Sequence, residues 1–393
     1  MSRRGRAAII VLDGLGIGPA PDTAAYGDEG SDTLGNVARA VGGLRLPNLE
    51  RLGLGQCRPG SGIPGLAPGV RPTAAHGIAQ PASPGKDSTT GHWEICGVLL
   101  ERAFRTYPNG FPVPLLDEFA RRTGRGWLGN TAASGTAIIA ELGAEHERTG
   151  KWIVYTSADS VFQVAAHEKR VPLDELYRAC EVAREMLIGE HAVSRVIARP
   201  FVGLPGDYRR SPHRRDFSLE PAGTTLLDRL AEAGIPRVGI GKVDDLFAAR
   251  NITSEHTPTN GDAYRRIEQA LDQVETGFVF VNVIEFDQTW GHRNDVAGFY
   301  QGLRELDAWL PRLIDQLRQD DLVILTADHG NDPTTTSTDH SREVVPVLTL
   351  GPRVQPVALG VRRTFADLGQ TVAEYFGVTR LAAGTSFLGE VWA

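Results

Sequence analysis

The chain of 393 residues is long enough for two domains, and 23% charged with 41% hydrophobic residues is the composition of a globular protein. A formal net charge of -7 provides no basic field of the kind that nucleic-acid binders need, so we expect small anions rather than nucleic acid as ligands. No stretch approaches the ~20 consecutive apolar residues of a membrane span, so we expect no membrane partner. Three cysteines lie far apart, which argues against a disulfide framework and against a thiolate metal site. We therefore expect a cytoplasmic protein.

The first predicted element is a buried parallel strand over residues 7–12, a continuous apolar run that ends abruptly at Asp13. Glycines alternate just beyond it, but two prolines follow where a dinucleotide-binding fingerprint would open a helix, which argues against that motif. Asp13 leaves the carboxyl end of the strand, where it is either a metal ligand or a turn carboxylate that bonds its own backbone. The residues alone leave both interpretations open.

Short helices are predicted next, over residues 33–41 and 46–54, and the glycine- and proline-rich residues 55–72 predict irregular surface. The stretch 85–94, GKDSTTGHWE, then places three consecutive hydroxyls, of which Ser88 is the first, before a predicted helix start. Backbone N–H groups and the helix dipole would face a phosphate there. A hydroxyl-rich turn that only caps the helix has the same pattern and remains the alternative.

From Arg102 to Asp216 the chain has its own alternation of helices and strands, which predicts an inserted domain. Its predicted elements are helices over residues 113–123, 135–142 and 173–187 and strands over residues 152–156 and 193–197. Its candidate chemistry lies in Ser157, Asp159, Arg195, Arg199 and the arginine-rich run 209–215. Planar guanidinium groups near a strand-end carboxylate suit a sugar phosphate, and a solvated basic loop is the alternative.

After Pro221 the chain resumes the pattern of the residues before Arg102. Helices are predicted over residues 224–233 and 262–273, and strands over residues 237–241 and 278–284. The last of these strands leads to Asp287 and His292, so a carboxylate and an imidazole again follow a strand. A long amphipathic helix over residues 295–318 comes next, and its periodic leucines predict core rather than function.

A final strand over residues 322–326 leads to two pairs of potential ligands, Asp328 with His329 and Asp339 with His340. In open α/β sheets ligands bind beyond the carboxyl ends of strands, so the three strand exits predict one convergent site. The carboxylates and imidazoles that we assign to this site are Asp13, Asp287, His292, Asp328, His329 and His340. Such a set, which contains no cysteine, suits two divalent ions, and Ser88 is then the candidate nucleophile of a phosphoryl transfer.

Eight segments of the chain resemble the phosphopentomutases, within the alkaline phosphatase superfamily: VLDGLGIG, GSDTLGN, GKDSTTGHWE, YTSADSVFQ, RVIARPFVG, FDQTWGHRND, TADHGNDP and TDHSRE. They span almost the whole chain, and several are long and uncommon in combination. The resemblance implies an α/β fold with an alkaline phosphatase-like, doubly wound core sheet and a smaller inserted α/β cap domain. We place the discontinuous metal-binding core domain at residues 1–101 and 217–393 and the cap domain, which would bind the pentose phosphate, at residues 102–216.

The resemblance also implies an activity, the reversible transfer of phosphate between C1 and C5 of ribose or 2-deoxyribose through a phosphoenzyme and a pentose bisphosphate. Two Mn²⁺ ions, or Mg²⁺ or another divalent ion in their place, would be the cofactors, and a sugar bisphosphate would be the activator. The partners that it implies are small-molecule pentose phosphates, and it favours a monomer. The cap would exclude water so that the phosphoenzyme survives.

Carried over residue by residue, the resemblance assigns metal binding to the six convergent residues named above and places Ser88, also a metal ligand, at the position of the phosphorylated threonine. The serine departs from the Lys-Asp-Thr pattern of the family, and the adjacent Thr89 is a competing hydroxyl. Glu285 stands where the family pattern has an aspartate. The residues that match positions holding the pentose phosphate are Ser157, Asp159, Arg195, Arg210 and Lys242.

Three other functions fit parts of this pattern. A metal-dependent phosphomonoesterase or phosphodiesterase would use the same ions with water as the acceptor, and another sugar-phosphate or phosphoglycerate mutase would share the core. A non-enzymatic phosphosugar sensor would bind its ligand without turnover. The reaction product distinguishes the esterases, and the pentose-type segments of the cap argue against the other mutases.

Overall fold

A computed structural model of the protein describes residues 5–58, 62–67, 69–157 and 160–393. The chain divides into two compact units, a discontinuous one of Met1–Ala103 with Pro221–Ala393 and a continuous one of Phe104–Glu220. We call them the core unit and the inserted unit. The sequence predicts an inserted domain over residues 102–216, whose two borders lie a few residues from those of the structure.

Strands and helices alternate in both units, which confirms the predicted α/β class. In chain order the strands are β1 (Arg6–Leu12), β2 (Ala75–Ala79), β3 (Trp127–Ala132), β4 (Trp152–Thr156), β5 (Val161–His167), β6 (Arg195–Val202), β7 (Arg209–Arg210), β8 (Arg215–Ser218), β9 (Arg237–Ile240), β10 (Ser254–Glu255), β11 (Gly277–Val283), β12 (Leu322–Thr326), β13 (Val345–Leu350) and β14 (Ala358–Arg362). The helices are α1 (Thr33–Ala40), α2 (Pro47–Leu52), α3 (Ser88–Ile95), α4 (Val113–Thr123), α5 (Gly135–Thr149), α6 (Leu173–Met186), α7 (Leu226–Glu232), α8 (Val243–Leu246), α9 (Asn260–Gln273), α10 (Val296–Asp315), α11 (Ala366–Phe376) and α12 (Leu388–Val391).

The core unit is built on an eight-stranded sheet in the order β10-β9-β11-β1-β12-β13-β2-β14. The neighbours from β10 to β12 are parallel, whereas β13 runs antiparallel to both β12 and β2. Strand β1 is wholly buried, as expected for a central strand of a parallel sheet that is covered on both faces. Full burial of apolar side chains such as Ile9, Ile10 and Val11 contributes about 2 kcal/mol each.

Helix α10 packs its apolar stripe into the core unit, as its sequence period predicts. The Asp295 side chain caps its first turn, and Leu303 and Leu306 are fully buried. The helix ends at Asp315, so the last leucine of the predicted stripe, Leu317, lies beyond it. None of the helices in the described part of the chain is both long and apolar enough to span a membrane.

The inserted unit has a mixed sheet in the order β3-β4-β5-β6-β7, and β8 also pairs with β6. Helices α4 and α6 pack on one face around Trp152 and Phe162, and α5 packs on the other face against Tyr155 and Phe201. Strands β3 and β5 were not predicted, because neither shows a regular alternation of apolar and polar residues. Helix α5 runs to Thr149, beyond its predicted end, because its second half is a polar surface that carries little apolar signal.

Candidate metal centre

Three neighbouring strands of the core sheet, β11, β1 and β12, end at the same edge. Asp13 directly follows β1, Asp287 lies in a short helical turn after β11, and Asp328 comes two residues after β12. Because the strands are parallel, their carboxyl ends meet. The structure therefore brings together the three carboxylates on which the sequence prediction depends.

Ser88, Asp13, Asp328 and His329 form the first of two groups at this edge. His329 Nε2 lies 3.3 Å from Asp13 Oδ1 and 3.5 Å from Asp328 Oδ2. The Ser88 hydroxyl lies 3.1 Å from His329 Nε2 and donates a 3.3 Å hydrogen bond to Asp13 Oδ1. The aspartates and the histidine are buried and Ser88 is half-buried, so the hydroxyl lies directly against the candidate ligands.

Asp287, His292 and His340 form the second group. His292 Nε2 lies 3.2 Å from Asp287 Oδ2, and His340 Nε2 lies 3.4 Å from Asp287 Oδ1. His329 joins the two groups, because its ring centroid is 4.3 Å from that of His340 and its ligand atom lies within 4.8 Å of those of Asp287 and His340. All six residues that the sequence singled out as ligands thus converge.

Asp339, the fourth potential ligand after β12, lies outside both groups. Its carboxylate accepts a 2.9 Å hydrogen bond from the His340 amide and lies 3.4 Å from the Lys86 ammonium. Its side chain is 39% exposed. Asp339 therefore orients the loop that carries His340 and does not contribute a donor to the centre.

The burial of three carboxylates in one place perturbs their ionisation. Burial, and then the charges of Asp328 and Asp287, raise the pKa of Asp13 above its usual value. Burial also opposes ionisation of Asp287, but the two imidazoles of its group outweigh it and hold the pKa of that carboxyl well below its usual range. Burial disfavours the charged imidazole of His329, but Asp328 and Asp13 raise its pKa well above the usual value. A bound cation would relieve this mutual repulsion of carboxylates.

The donors of both groups fit divalent cations. Carboxylate oxygens and imidazole nitrogens suit borderline-to-hard ions, and within the described residues neither group contains a cysteine. Asp328 Oδ2 is buried 3.2 Å from His92 Nδ1 and makes no hydrogen bond of good geometry to a described residue, so a metal can be its further partner. Each group can therefore hold one cation.

Two asparagines that the sequence analysis did not single out orient these carboxylates. Asn282 Nδ2 donates to Asp13 Oδ2 at 2.9 Å, and Asn331 Nδ2 donates to Asp287 Oδ1 at 2.7 Å. Gly14 allows the loop after β1 to lie close to Asn331. Its φ is +79°, and a Cβ there would lie 3.1 Å from the Asn331 Cβ. Asn282 interrupts the otherwise apolar run FVFVNV, and that interruption is the sequence signal that identifies it. Hydrogen bonds to ligating carboxylates fix their orientation.

Ser88 is the first residue of α3, and the helix is positioned by its own cap and by a glycine. Asp87 accepts hydrogen bonds from the Thr90 amide at 3.1 Å and from the Thr90 hydroxyl at 2.6 Å. Gly91 lets the helix approach the end of β12, because a Cβ there would overlap the Asp328 carbonyl oxygen. The first turn of α3, at the positive end of the helix dipole, is therefore placed against the two groups of candidate ligands.

The loop that precedes Ser88 is anchored by two basic residues. The buried Arg342 donates a 2.5 Å hydrogen bond to the Gly85 carbonyl oxygen. The Lys86 ammonium donates a 2.8 Å hydrogen bond to a carboxylate oxygen of Asp28. These contacts fix the backbone on the amino-terminal side of the candidate nucleophile.

A buried glutamate that the sequence analysis did not single out ties the surrounding loops together. Glu343 Oε1 accepts hydrogen bonds from the hydroxyls of Thr33 at 2.6 Å and Ser341 at 2.7 Å. Its Oε2 accepts hydrogen bonds from the amides of Thr33 at 2.9 Å and Gly18 at 3.0 Å. Burial raises the pKa of Glu343 to about 7 despite these bonds. Ser341 directly follows His340, so Glu343 holds a ligand-bearing loop against the loop after β1.

Three of the residues expected to bind the pentose phosphate are described in the inserted unit. Ser157 directly follows β4, and Arg195 begins β6 with its Nη1 3.5 Å from Asp216 Oδ2. Arg210 is exposed on β7. The expected contact at Asp159 falls outside the described residues.

Lys242 belongs to the core unit. It immediately precedes α8, and its ammonium donates a hydrogen bond to the Gln288 side chain. Gln288 follows Asp287 in sequence, so Lys242 is tied to the turn that carries a candidate metal ligand. The structure therefore divides the expected substrate residues between its two units.

The chain is similar to proteins of known family over almost its whole length. A family profile described as the Metalloenzyme superfamily matches residues 5–380. A phosphopentomutase of Carboxydothermus hydrogenoformans is 54% identical over 98% of this chain and 99% of its own length, and one of Anaeromyxobacter sp. (strain K) is 58% identical over 98% and 99%. A solved structure of a Pyrococcus horikoshii protein has a TM-score of 0.50 and 15% identity over 98% of this chain and 100% of that chain, which supports the fold alone.

The α/β core, the convergent carboxylates and imidazoles and the family profile define a member of the metalloenzyme superfamily, with the alkaline phosphatase-like fold that the sequence predicted. Its centre is suited to divalent metal ions. Within that superfamily, the chain belongs to the phosphopentomutase family. It is accordingly an enzyme of the isomerase class, a metal-dependent phosphotransfer mutase.

Proposed function

We propose that this enzyme transfers phosphate reversibly between C1 and C5 of ribose or 2-deoxyribose, through a phosphoenzyme and a pentose bisphosphate intermediate. The observation that carries the proposal is the position of the Ser88 hydroxyl, 3.1 Å from His329 Nε2 and 3.3 Å from Asp13 Oδ1 at the start of α3. The name of the relatives supports a pentose phosphate as the substrate.

Ser88 acts in this proposal as the carrier of the phosphoryl group. Phospho-Ser88 gives its phosphoryl group to the free hydroxyl of a pentose monophosphate, which yields the bisphosphate. The bisphosphate then returns its other phosphate to Ser88 and leaves as the isomeric monophosphate. The first-turn amides and the positive dipole end of α3 stabilise the negative oxygens of the group in transfer.

We propose that each of the two groups of candidate ligands holds one ion. Such ions supply Lewis-acid stabilisation of the phosphoryl oxygens and lower the pKa of a bound hydroxyl. We propose Mn²⁺ as the resident ion, with Mg²⁺ as an alternative, because a mixed carboxylate and imidazole set suits both. The proposed ligands are Asp13, Asp328, His329 and Ser88 in the first group and Asp287, His292 and His340 in the second.

The inserted unit and the neighbourhood of Lys242 supply the proposed contacts to the sugar phosphate. Arginine guanidinium groups bind phosphate oxygens through parallel hydrogen bonds, and a carboxylate accepts hydrogen bonds from sugar hydroxyls. We propose a sugar bisphosphate as the activator, because it can phosphorylate Ser88 of an enzyme that has lost its phosphoryl group. The proposed contacts are Ser157, Asp159, Arg195, Arg210 and Lys242.

The test follows both possible products at once. The metal-loaded enzyme is incubated with ribose 5-phosphate and a trace of sugar bisphosphate, and ³¹P NMR records ribose 1-phosphate and inorganic phosphate together. We expect ribose 1-phosphate without released phosphate. Release of inorganic phosphate alone would replace the proposal with a phosphatase on the same metal core. No change in either signal would reject the pentose phosphate and direct the same assay to other sugar phosphates.

A further inference from the structure

Helix α3 carries polar side chains on a segment that is wholly buried. His92, Trp93 and Glu94 follow one another, and none of them is more than 1% exposed. The indole N–H of Trp93 donates to the Leu246 carbonyl oxygen at 2.8 Å, and Glu94 accepts hydrogen bonds from backbone amides of neighbouring loops. These two residues tie α3 to the rest of the core unit. His92 differs from them, because its partners lie at the candidate metal centre.

The Nδ1 atom of His92 joins the backbone of the candidate nucleophile to a candidate ligand. It donates a 2.9 Å hydrogen bond to the Ser88 carbonyl oxygen and lies 3.2 Å from Asp328 Oδ2. Because both neighbours are acceptors, Nδ1 carries a proton. The spacing of four residues explains the contact with Ser88, since side chains in a helix point back towards its amino terminus and cover the preceding turn. The imidazole therefore lies between Ser88 and Asp328.

Four contacts close a ring around the first group of candidate ligands. The Ser88 hydroxyl lies 3.1 Å from His329 Nε2, and His329 Nε2 lies 3.5 Å from Asp328 Oδ2. The two contacts of His92, to Asp328 and to the Ser88 carbonyl oxygen, complete the ring. His92 is the one member of the ring that is not itself a candidate ligand. Replacing it therefore opens the ring and leaves every proposed donor to the metal in place.

The second ring nitrogen of His92 makes no contact that would explain the residue. The ring centroid is 5.6 Å from that of Phe280, and Nε2 is buried without a hydrogen bond to a described residue. A buried nitrogen without a partner costs free energy, so a leucine of similar volume would pack at this position at least as well. The Nδ1–H group is therefore the part of the side chain that distinguishes histidine from an apolar residue here.

We propose that His92 is a positioning residue, which holds Asp328 and the start of α3 at the separation that the first cation and the Ser88 hydroxyl require. Neighbouring hydrogen-bonding groups fix the orientation of a ligating carboxylate, and the rate of a group transfer depends steeply on the position of the reacting atom. The effect on Ser88 rests on the proposed function. The effect on the first cation does not, because it depends only on Asp328.

Metal binding tests the proposal with a pair of variants. His92→Leu keeps the buried volume and removes the N–H donor, whereas His92→Asn keeps a donor at the position of Nδ1 and leaves a cavity. Calorimetric titration of the metal-free, full-length protein with Mn²⁺ measures the affinity of each ion. We expect His92→Leu to weaken one ion about 10- to 100-fold, and His92→Asn to restore it to within about threefold of the wild type. The other ion should bind as in the wild type in both variants, because the second group contains no partner of His92.

The two variants separate positioning from packing, because the two roles predict opposite orders. If the imidazole only filled space, leucine would be the milder replacement and asparagine the more harmful one. Affinity for the first ion that is higher in His92→Asn than in His92→Leu supports the proposal, in whichever order the two variants melt. The reverse order, or wild-type affinity for both ions in His92→Leu, would overturn it.

His76→Leu is the matched control, since it replaces another buried histidine of the core unit. His76 lies in β2, which carries none of the candidate ligands, and its Nδ1 lies 3.3 Å from the Ala74 carbonyl oxygen. We expect this variant to bind both ions within about twofold of the wild-type affinity. Circular dichroism and the melting temperature check that each variant is folded. Loss of an ion in His76→Leu as in His92→Leu would attribute the effect to general destabilisation and overturn the proposal.

Turnover, measured at saturating metal, separates this proposal from the proposed function. If the wild type interconverts pentose phosphates, His92→Leu should lower kcat about tenfold or more and change KM less than about threefold, because other residues provide the proposed contacts to the sugar phosphate. If the wild type does not, the proposed function fails, and selective loss of one ion in His92→Leu with its recovery in His92→Asn still supports the role of His92. Wild-type ion binding and wild-type kcat in His92→Leu would overturn that role and leave the mutase reaction intact.

Discussion

Ser88 is one of three consecutive hydroxyls, and the environments of the three residues differ. The Thr90 hydroxyl donates to Asp87, and Thr89 is 4% exposed with its side chain in the interior. Ser88 alone among them contacts Asp13 and His329 in the described structure. These contacts favour Ser88 over Thr89 as the proposed nucleophile.

We expect Ser88→Ala to abolish phosphate transfer without loss of the metal, because the variant removes the accepting oxygen and none of the carboxylates or imidazoles. Thr89→Ala is the matched control and should keep activity within about tenfold, since it only leaves a small cavity. Coupled assays for ribose 5-phosphate formation measure turnover, and elemental analysis measures the metal. Activity retained in Ser88→Ala and lost in Thr89→Ala would assign the phosphoryl group to Thr89.

Glu343 shows how one buried carboxyl makes stability depend on pH. Its pKa is raised from 4.5 to about 7 in the folded protein, so the folded state binds this proton more tightly than the unfolded state does. The stabilisation from the proton is complete below about pH 4.5 and is lost as the pH rises through 7. The corresponding free energy is on the order of 3 kcal/mol.

We expect Glu343→Gln, which resembles the protonated carboxyl, to gain stability relative to the wild type as the pH rises from 5 to 8. The amide oxygen can accept from the two backbone amides, and the amide nitrogen can donate to the two hydroxyls. Urea unfolding of metal-free protein across this range measures the difference in unfolding free energy, up to about 3 kcal/mol. A difference that does not vary with pH would show that Glu343 titrates near its ordinary pKa.

At the scale of elements, the candidate site depends on how closely α3 approaches the end of β12. Gly91 faces the Asp328 backbone, and a Cβ there would overlap the Asp328 carbonyl oxygen. Alanine is favoured over glycine inside a helix by about 1 kcal/mol, so the helix gains nothing intrinsically from glycine here. The contact between the two elements therefore explains the residue.

We expect Gly91→Ala to lower the free energy of unfolding by about 1–3 kcal/mol and to lower kcat, because the added methyl pushes α3 and Ser88 away from the ligands. Gly261→Ala in α9 is the matched control, since the nearest atom to a Cβ there is 3.8 Å away, and it should leave stability unchanged or slightly higher. Chemical unfolding and steady-state kinetics measure the two effects. Equal behaviour of the two variants would mean that α3 can shift without cost.

At the scale of the whole molecule, the core unit buries three acidic side chains at the sheet edge that carries the candidate metal centre. Asp13, Asp287 and Asp328 are each at most 7% exposed. Such a concentration of buried negative charge destabilises the fold unless cations neutralise it. The stability of the whole enzyme should therefore depend on its metal.

We expect chelation to lower the melting temperature by several degrees, and added Mn²⁺ to restore it, because an ion at 100 times its Kd stabilises by about 2.7 kcal/mol. Metal analysis should find two ions per chain in the wild type and one in Asp287→Asn. Asp339→Asn, which alters a carboxylate outside both groups, should keep two ions. Loss of an ion in the Asp339 variant would extend the centre to that residue.

The sequence by itself determined the α/β class, the strands whose ends carry the candidate ligands and the carboxylates and imidazoles that converge there. It could do so because a buried parallel strand is a continuous apolar run, and the polar residues directly after it must lie at the sheet edge. Asp13, Asp287 and Asp328 could be read in this way, since each follows such a run by only a few residues. Strands β3 and β5 were not predicted, because polar residues interrupt their apolar runs, Asn130 in β3 and Gln163 in β5.

Only the tertiary structure decided how these residues meet. The division of the ligands into two groups that share His329, the exclusion of Asp339 and the contact of Ser88 with Asp13 all depend on distances between segments far apart in the chain. Hydrogen bonds and packing between such segments leave no periodic trace in sequence.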